Sequence, residues 1–289
     1  MISILKKEVG NIKIKNTLWV ISMAALCLML FIIVDARSDK SSEIIFSGAE
    51  GAVIRTDDFA QVQTISADTP DGKEKDERVW PDIDILDHKY TIVNTENALS
   101  AVYYPEVEDI PSSYVTYACK FDKEAMPYLL AMIDAAREAG FSIYVNSAYI
   151  SFSYQQQIFN GAASGVAEQM GITTDYLQPE YQQAVEKAKT YVRFPGTSEH
   201  QLGLAVDIVD RYYGSLKYSN MNQEMFAWLD EHCAEYGFIK RFPTKKLLLT
   251  GLDESWHYRY VGQEAAKFIM ENDLCFEQFY AHYDSEFTY

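Results

Sequence analysis

Only five histidines occur among the 289 residues, and two of them, His200 and His257, lie in strand-like stretches that also carry an acid. Residues 197–209 read TSEHQLGLAVDIV, with His200 shortly before Asp207 and Asp207 embedded in Ala-Val-Asp-Ile-Val. A charge among apolar neighbours is costly to bury without compensation, so Asp207 either lies on a wet sheet face or meets a cation. Read as a strand, the run puts Gly203, Ala205 and Asp207 on one face and Leu204, Val206 and Ile208 on the other. The first face then presents a carboxylate beside two residues with almost no side chain, a floor cleared for an approaching substrate. The second stretch is GLDESWHYRYVG, where Glu254 precedes His257 by three residues. Alternation puts His257 and Arg259 on one face, with Trp256, Tyr258 and Tyr260 opposite. Two histidines and a carboxylate make a three-ligand zinc site with a fourth position open to water. Glu254 is then the base that takes a proton from that water. The spacing alone leaves this beside two plainer readings, a His–Asp hydrogen bond and ordinary surface polarity.

The elements that must hold these residues are legible from periodicity. Residues 123–140 place Met126, Leu129, Leu130, Ile133 and Ala136 at helical spacing, with Gly140 as the stop. FSIYVNSAYI follows as a strand. SYQQQIFNGAASGVAEQMG and PEYQQAVEKAKTYVRF read as helices, the second running up to Pro195. LGLAVDIV is a strand. NQEMFAWLDEHCAEYGF is a helix with Phe226, Leu229, Cys233 and Tyr236 on one stripe, ended by Gly237. SWHYRYVG is a strand and GQEAAKFIMEND a closing helix, with the acids at 284–286 forming a solvated tail. Helices and short strands mix without βαβ alternation, which predicts an α+β fold, a small antiparallel sheet with flanking helices.

With both motifs in order, the chain resembles the zinc D,D-carboxypeptidases and dipeptidases of the VanY/VanX type. The resemblance is carried by Ser198-x-His200-x-x-Gly203-x-Ala205-x-Asp207 and the downstream Glu254-x-Trp256-His257. It extends over NSAYISFSYQQQIF, FAWLDEHCAEYGFIKRFP and WHYRYVG, so it covers roughly 88–274. It implies a Zn2+ ion held by His200, Asp207 and His257, with Glu254 as the general base, acting on peptidoglycan stem peptides. Ser198 and Gln155 match substrate-contacting positions, and Tyr149 belongs to the same motif as a pocket residue or a core tyrosine. The chain departs from the pattern at Ile150, where the family carries an arginine, and at Ser255, where proline is common. Loss of such a donor costs on the order of 10²–10³ in rate. Three readings follow: another arginine supplies the charge, a different stem-peptide bond is cut, or the domain binds without catalysis. Arg193 and Arg259 are the candidates for the first, with Arg259 favoured by sharing the His257 face. Retention of the ligand set and Glu254 favours an enzyme.

The rest of the chain bounds the setting. A net charge of −17 excludes nucleic acid as a partner. The residues 1–16 carry four lysines, and 17–34 then run uncharged over a length within the ~17–25 residues that a membrane span needs. Lysines before the span put the N-terminus in the cytoplasm and the remainder outside. The length of the run favours an uncleaved anchor over a cleaved signal peptide, and both export the domain. The expected layout is a cytoplasmic tail 1–16, a transmembrane anchor 17–34, a stalk 35–87 and the zinc peptidase domain 88–289. Of four cysteines, Cys119, Cys233 and Cys275 follow the span without C-x-x-C spacing, and read as buried thiols with room for one disulfide.

Overall fold

Four antiparallel strands bring the two acid-and-histidine stretches side by side. In the computed structural model the described residues are 78–287, apart from Tyr191 and Gly214. The expected tail, anchor and most of the stalk lie outside them. Among the described residues no helix is long and apolar enough to cross a membrane.

The elements in chain order are β1 (Val107–Asp109), β2 (Lys120–Asp122), α1 (Met126–Glu138), β3 (Tyr144–Ser147), α2 (Phe152–Met170), α3 (Tyr181–Ala188), β4 (Ala205–Val209), α4 (Gln223–His232), β5 (Phe238–Phe242), β6 (Glu254–Tyr260), α5 (Gln263–Glu271) and α6 (Phe276–Tyr283). β1 and β2 form a small antiparallel pair of their own, and the main sheet has the order β3-β4-β6-β5, antiparallel throughout. The architecture is α+β, as the periodicity predicts.

One face of the main sheet is closed by α1 and α4. Leu129, Met132, Ile133 and Ala136 of α1 and Phe226 and Leu229 of α4 are fully buried with Val206, Ile208 and Tyr258 of the sheet. The helical spacing of those apolar residues is what makes this burial possible. Asn222 caps α4 by accepting from the backbone N–H groups of Glu224 and Met225. Gly237, at φ +81°, ends the 3-10 turn that follows. Ile239, Ala265, Ala266, Ile269, Phe276 and Phe279 form a second core between β5, α5 and α6. Trp80, Ile83 and Ile85 pack against it, so ordered packing starts ahead of His88. A third, smaller core joins α2 to α3.

Four sequence expectations change. α3 ends at Ala188 instead of running up to Pro195, because the backbone tightens there and the Thr190 hydroxyl donates to the Lys187 carbonyl. α6 is an added helix whose aromatic side chains build the second core, where no element was expected between the closing helix and the acids at 284–286. Cys119, Cys233 and Cys275 are all free. Gly203 does not clear ground for a substrate. It adopts φ +80° at the end of the 3-10 turn Glu199–Leu202, and a Cβ there would meet Val107 at 2.9 Å and Pro105 at 3.3 Å.

Gly203→Ala is therefore expected to lower unfolding free energy by about 1–3 kcal/mol, the cost of a strained backbone conformation. Gly161→Ala, in mid-α2 with open space around the added methyl, should raise it by about 0.5–1 kcal/mol. Urea unfolding of the two variants checks the contrast; equal effects would contradict it.

Candidate metal centre

The register of β4 against β6 sets Asp207 directly opposite His257. His200 arrives from the 3-10 turn that enters β4, a turn capped by Ser198, whose hydroxyl accepts from the His200 N–H. The loop after β3 clamps this histidine twice. Its Nδ1 lies 2.7 Å from the Ala148 carbonyl, and its own carbonyl accepts from the Ile150 N–H at 3.2 Å. A carbonyl can only accept, so Nδ1 carries the proton and Nε2 keeps a lone pair, 3.5 Å from Asp207 Oδ1. His257 Nδ1 lies 3.2 Å from the same oxygen. One ligand atom from each of the three lies within 4.8 Å of the others.

All three side chains are buried, with Asp207 only 9% exposed. Burial by itself would push the Asp207 carboxyl up; the imidazoles of His200 and His257 overrule it and hold it well below the usual carboxylate range. Burial likewise opposes a charge on His257, yet Asp207 and Glu199 outweigh it and raise its pKa to about 9. The trio is a pocket built to hold positive charge.

Behind His257 stands a residue the sequence reading passed over. Glu199, in the same turn as His200, is 3% exposed, and its Oε2 sits 3.5 Å from His257 Nε2. Neither atom has another hydrogen-bond partner. A cation that displaces the Nδ1 proton leaves the Nε2 proton toward Glu199 and the Nδ1 lone pair toward Asp207 and His200. Glu199 is in turn fixed by Arg241, whose Nε donates to Oε1 at 2.8 Å and whose two terminal nitrogens donate to Glu277. Arg259 adds a second cation, 3.2 Å from Glu199 Oε1. Burial would raise the Glu199 carboxyl, but the two guanidiniums keep it well below the usual range.

The donor set fits zinc: two imidazole nitrogens with free lone pairs and one carboxylate oxygen. Each histidine also has the oriented outer partner that metal-bound histidines usually carry, Ala148 for His200 and Glu199 for His257.

A cavity opens over the trio, with Glu254 on its wall. Glu254 is 30% exposed, and its Oε2 lies 3.8 Å from His257 Nδ1. Ser198, Phe242, Trp256, Arg193 and Val93 also line the cavity. Trp256 thus reaches the side that alternation assigned away from it. A register shift between Lys240 and Phe242 lets Arg241 reach Glu199 while the Phe242 ring rests against His257.

Three of the expected substrate contacts are not on this wall. Arg259 is fully buried and donates to the Lys89 and Thr91 carbonyls, so it braces Glu199 and the chain at 89–91. Tyr149 sets its ring edge-on against Tyr104, outside the cavity lining. Gln155 is buried and spends its amide on the Arg193 carbonyl at 2.7 Å. Ile150 contributes its backbone N–H to His200 and no side-chain donor.

The family model described as VanY, D-alanyl-D-alanine carboxypeptidase, matches residues 118–263, which take in both motifs. The chain belongs to the VanY family. Among its VanY relatives, the D-alanyl-D-alanine carboxypeptidase of Enterococcus faecalis is 39% identical over 192 residues, 65% of this chain and 64% of that protein. The alignment therefore spans a little under two thirds of that relative's length. A zinc-bound variant of the vancomycin-resistance D,D-pentapeptidase VanY is 38% identical, with a TM-score of 0.52 over 65% of this chain and 96% of the other. The LD-carboxypeptidase LdcB is 31% identical, with a TM-score of 0.56 over 70% and 92% of the two chains.

Glu199→Ala strips the counter-charge from two buried guanidiniums and is expected to cost about 3–5 kcal/mol of stability. Glu199→Gln keeps the shape and should cost less, but weaken zinc binding by about 10–100-fold through His257. Chelator competition on the folded Gln variant checks this; unchanged affinity would remove Glu199 from the orientation of His257.

Proposed function

We propose that the chain is a membrane-anchored zinc D,D-carboxypeptidase that removes the terminal D-alanine from peptidoglycan stem peptides outside the cytoplasm. The observation that carries the reading is the convergence of His200, Asp207 and His257 under a cavity that also exposes the Glu254 carboxylate. In this reading 17–34 form the anchor, 35–87 a stalk whose last residues, Trp80, Ile83 and Ile85, already pack on the domain, and the residues from 88 the peptidase domain. The uncharged run at 17–34 and the lysines before it support the anchor.

His200, Asp207 and His257 would hold the ion. The chemistry a bound zinc supplies here is Lewis acidity toward a water and the scissile carbonyl. Glu254 accepts a proton from that water as its oxygen adds to the carbonyl carbon. It then returns the proton to the amine nitrogen as the C–N bond breaks, which releases D-alanine. Ser198 borders the cavity where the peptide lies. The Phe242 and Trp256 rings wall the site against bulk water, which strengthens every charge interaction within it.

An L,D-carboxypeptidase acting on tetrapeptide stems is the neighbouring reading, favoured by the similarity to LdcB. Zinc-loaded protein offered pentapeptide and tetrapeptide stems separates the two: D-alanine release is expected from the pentapeptide. Release from the tetrapeptide alone would reassign the bond, and release from neither would refute the enzyme. Glu254→Gln should lower kcat by about 10²–10⁴-fold with zinc content unchanged, and an undiminished rate would remove Glu254 as base. The full chain should sediment with membranes; a mature N-terminus found beyond residue 34 would contradict the anchor.

A further inference from the structure

A carboxypeptidase must draw a free, anionic C-terminus into its site, and this cavity is lined by three acids. Two of them are already balanced. Glu199 is paired with Arg241 and Arg259, and Asp207 is shared between two imidazoles. Glu254 has only His257 within ion-pair distance, at 3.8 Å, and would repel an incoming carboxylate. The metal trio is needed for the scissile carbonyl, so a separate cation on the wall would offset that repulsion and give the terminal carboxylate a place to dock.

Arg193 is the one arginine or lysine among the residues lining the cavity. Its guanidinium lies over the Phe242 ring, 5.8 Å from the centroid. Among the described residues it makes no side-chain hydrogen bond or ion pair, whereas Arg241 and Arg259 spend theirs on Glu199, Glu277 and backbone carbonyls. Its backbone is held on both sides. Gln155 donates to the Arg193 carbonyl, and three residues on, Gly196 at φ +90° accepts from the Leu99 N–H at 2.8 Å. A Cβ at Gly196 would sit 2.8 Å from the Leu99 carbonyl oxygen, so this stretch is seated tightly against 98–99.

We infer that Arg193 binds the terminal carboxylate of the substrate and gives the site its preference for a free C-terminus. A planar, unpaired guanidinium presents two parallel N–H donors to a carboxylate, the geometry that selects this anion. The Phe242 ring beneath it limits its motion. Burial draws the guanidinium down while Glu254 and Glu199 pull it up, and an arginine stays charged throughout. Gln155 then acts through Arg193, as a positioning residue that fixes its carbonyl.

The inference rests on the carboxypeptidase reading, and its test keeps the two apart. Zinc-loaded parent and Arg193→Ala protein are assayed on a stem peptide ending in D-alanyl-D-alanine, as the free acid and as the C-terminal amide. The parent should prefer the acid. In Arg193→Ala, kcat/KM on the acid should fall about 10–100-fold, the range for hydrogen bonds to a charged group. The loss should come mainly through KM and be much smaller on the amide, so that the preference collapses; Arg193→Lys should recover part of it. An equal loss on acid and amide would make Arg193 a transition-state or structural residue and overturn the inference. So would an unaltered preference. Calorimetric binding of D-alanyl-D-alanine to Glu254→Gln protein, with and without Arg193→Ala, needs no turnover. Affinity lost with Arg193 supports the inference even if the parent proves inactive, and affinity retained overturns it.

Discussion

The carboxylate of Asp207 is buried in the middle strand pair of a sheet whose other face is apolar, and everything around it answers to that charge. Neighbours along β4 are all buried, so solvent reaches it only through the cavity. The compensation has to come from groups at fixed positions. His257 is delivered by the β4–β6 register and His200 by the turn just before β4. The three meet because strand pairing sets one distance and a capped turn sets the other. A cation is the remaining member of such a group, and two imidazoles with one carboxylate are donors that zinc accepts.

Charge alternates outward from that point. Asp207 is followed by His257, then Glu199, then Arg241 and Arg259, then Glu277, each buried and each facing a group of opposite sign. Buried ion pairs of this kind do little for net stability, because desolvation offsets most of the attraction. Their effect is directional. With Glu199 held by two guanidiniums, His257 has one tautomer open to it, and its free lone pair points at the centre. The second core, with Phe276 and Phe279 of α6, seats Glu277 at the end of this ladder. The C-terminal helix therefore matters to a site well removed from it in sequence.

The sequence made the centre legible for a physical reason. Asp207 and His257 lie in two short strands whose alternation is visible locally, and His200 lies in the turn that enters the first of them. A charged residue within an apolar run needs a partner wherever it folds. The ladder behind it was not legible. Arg241 meets Glu199 and Glu277 across separations of 42 and 36 residues, and no local period marks either pairing. Arg259 shares the His257 face as alternation requires, yet a residue's face does not say whether it looks into a cavity or into another charge. Gly203 misled in a similar way. Its small size suggested clearance, while the need was a left-handed backbone angle and close contact with Val107. The aromatic run of α6 carried no strong helical signal of its own and becomes a helix through the core it completes. Gln155 and Arg193 belong to one device, visible only when α2 is seen against the segment before Pro195.

The central claim is that His200, Asp207 and His257 together bind a single zinc ion. The most direct measurement is X-ray absorption at the zinc edge of purified, exhaustively dialysed protein. It should give one zinc per chain with a four-coordinate shell of nitrogen and oxygen at about 2.0–2.2 Å, two of the scatterers imidazole and none sulfur. Protein that emerges metal-free, or zinc held by sulfur or by a single histidine, would contradict it.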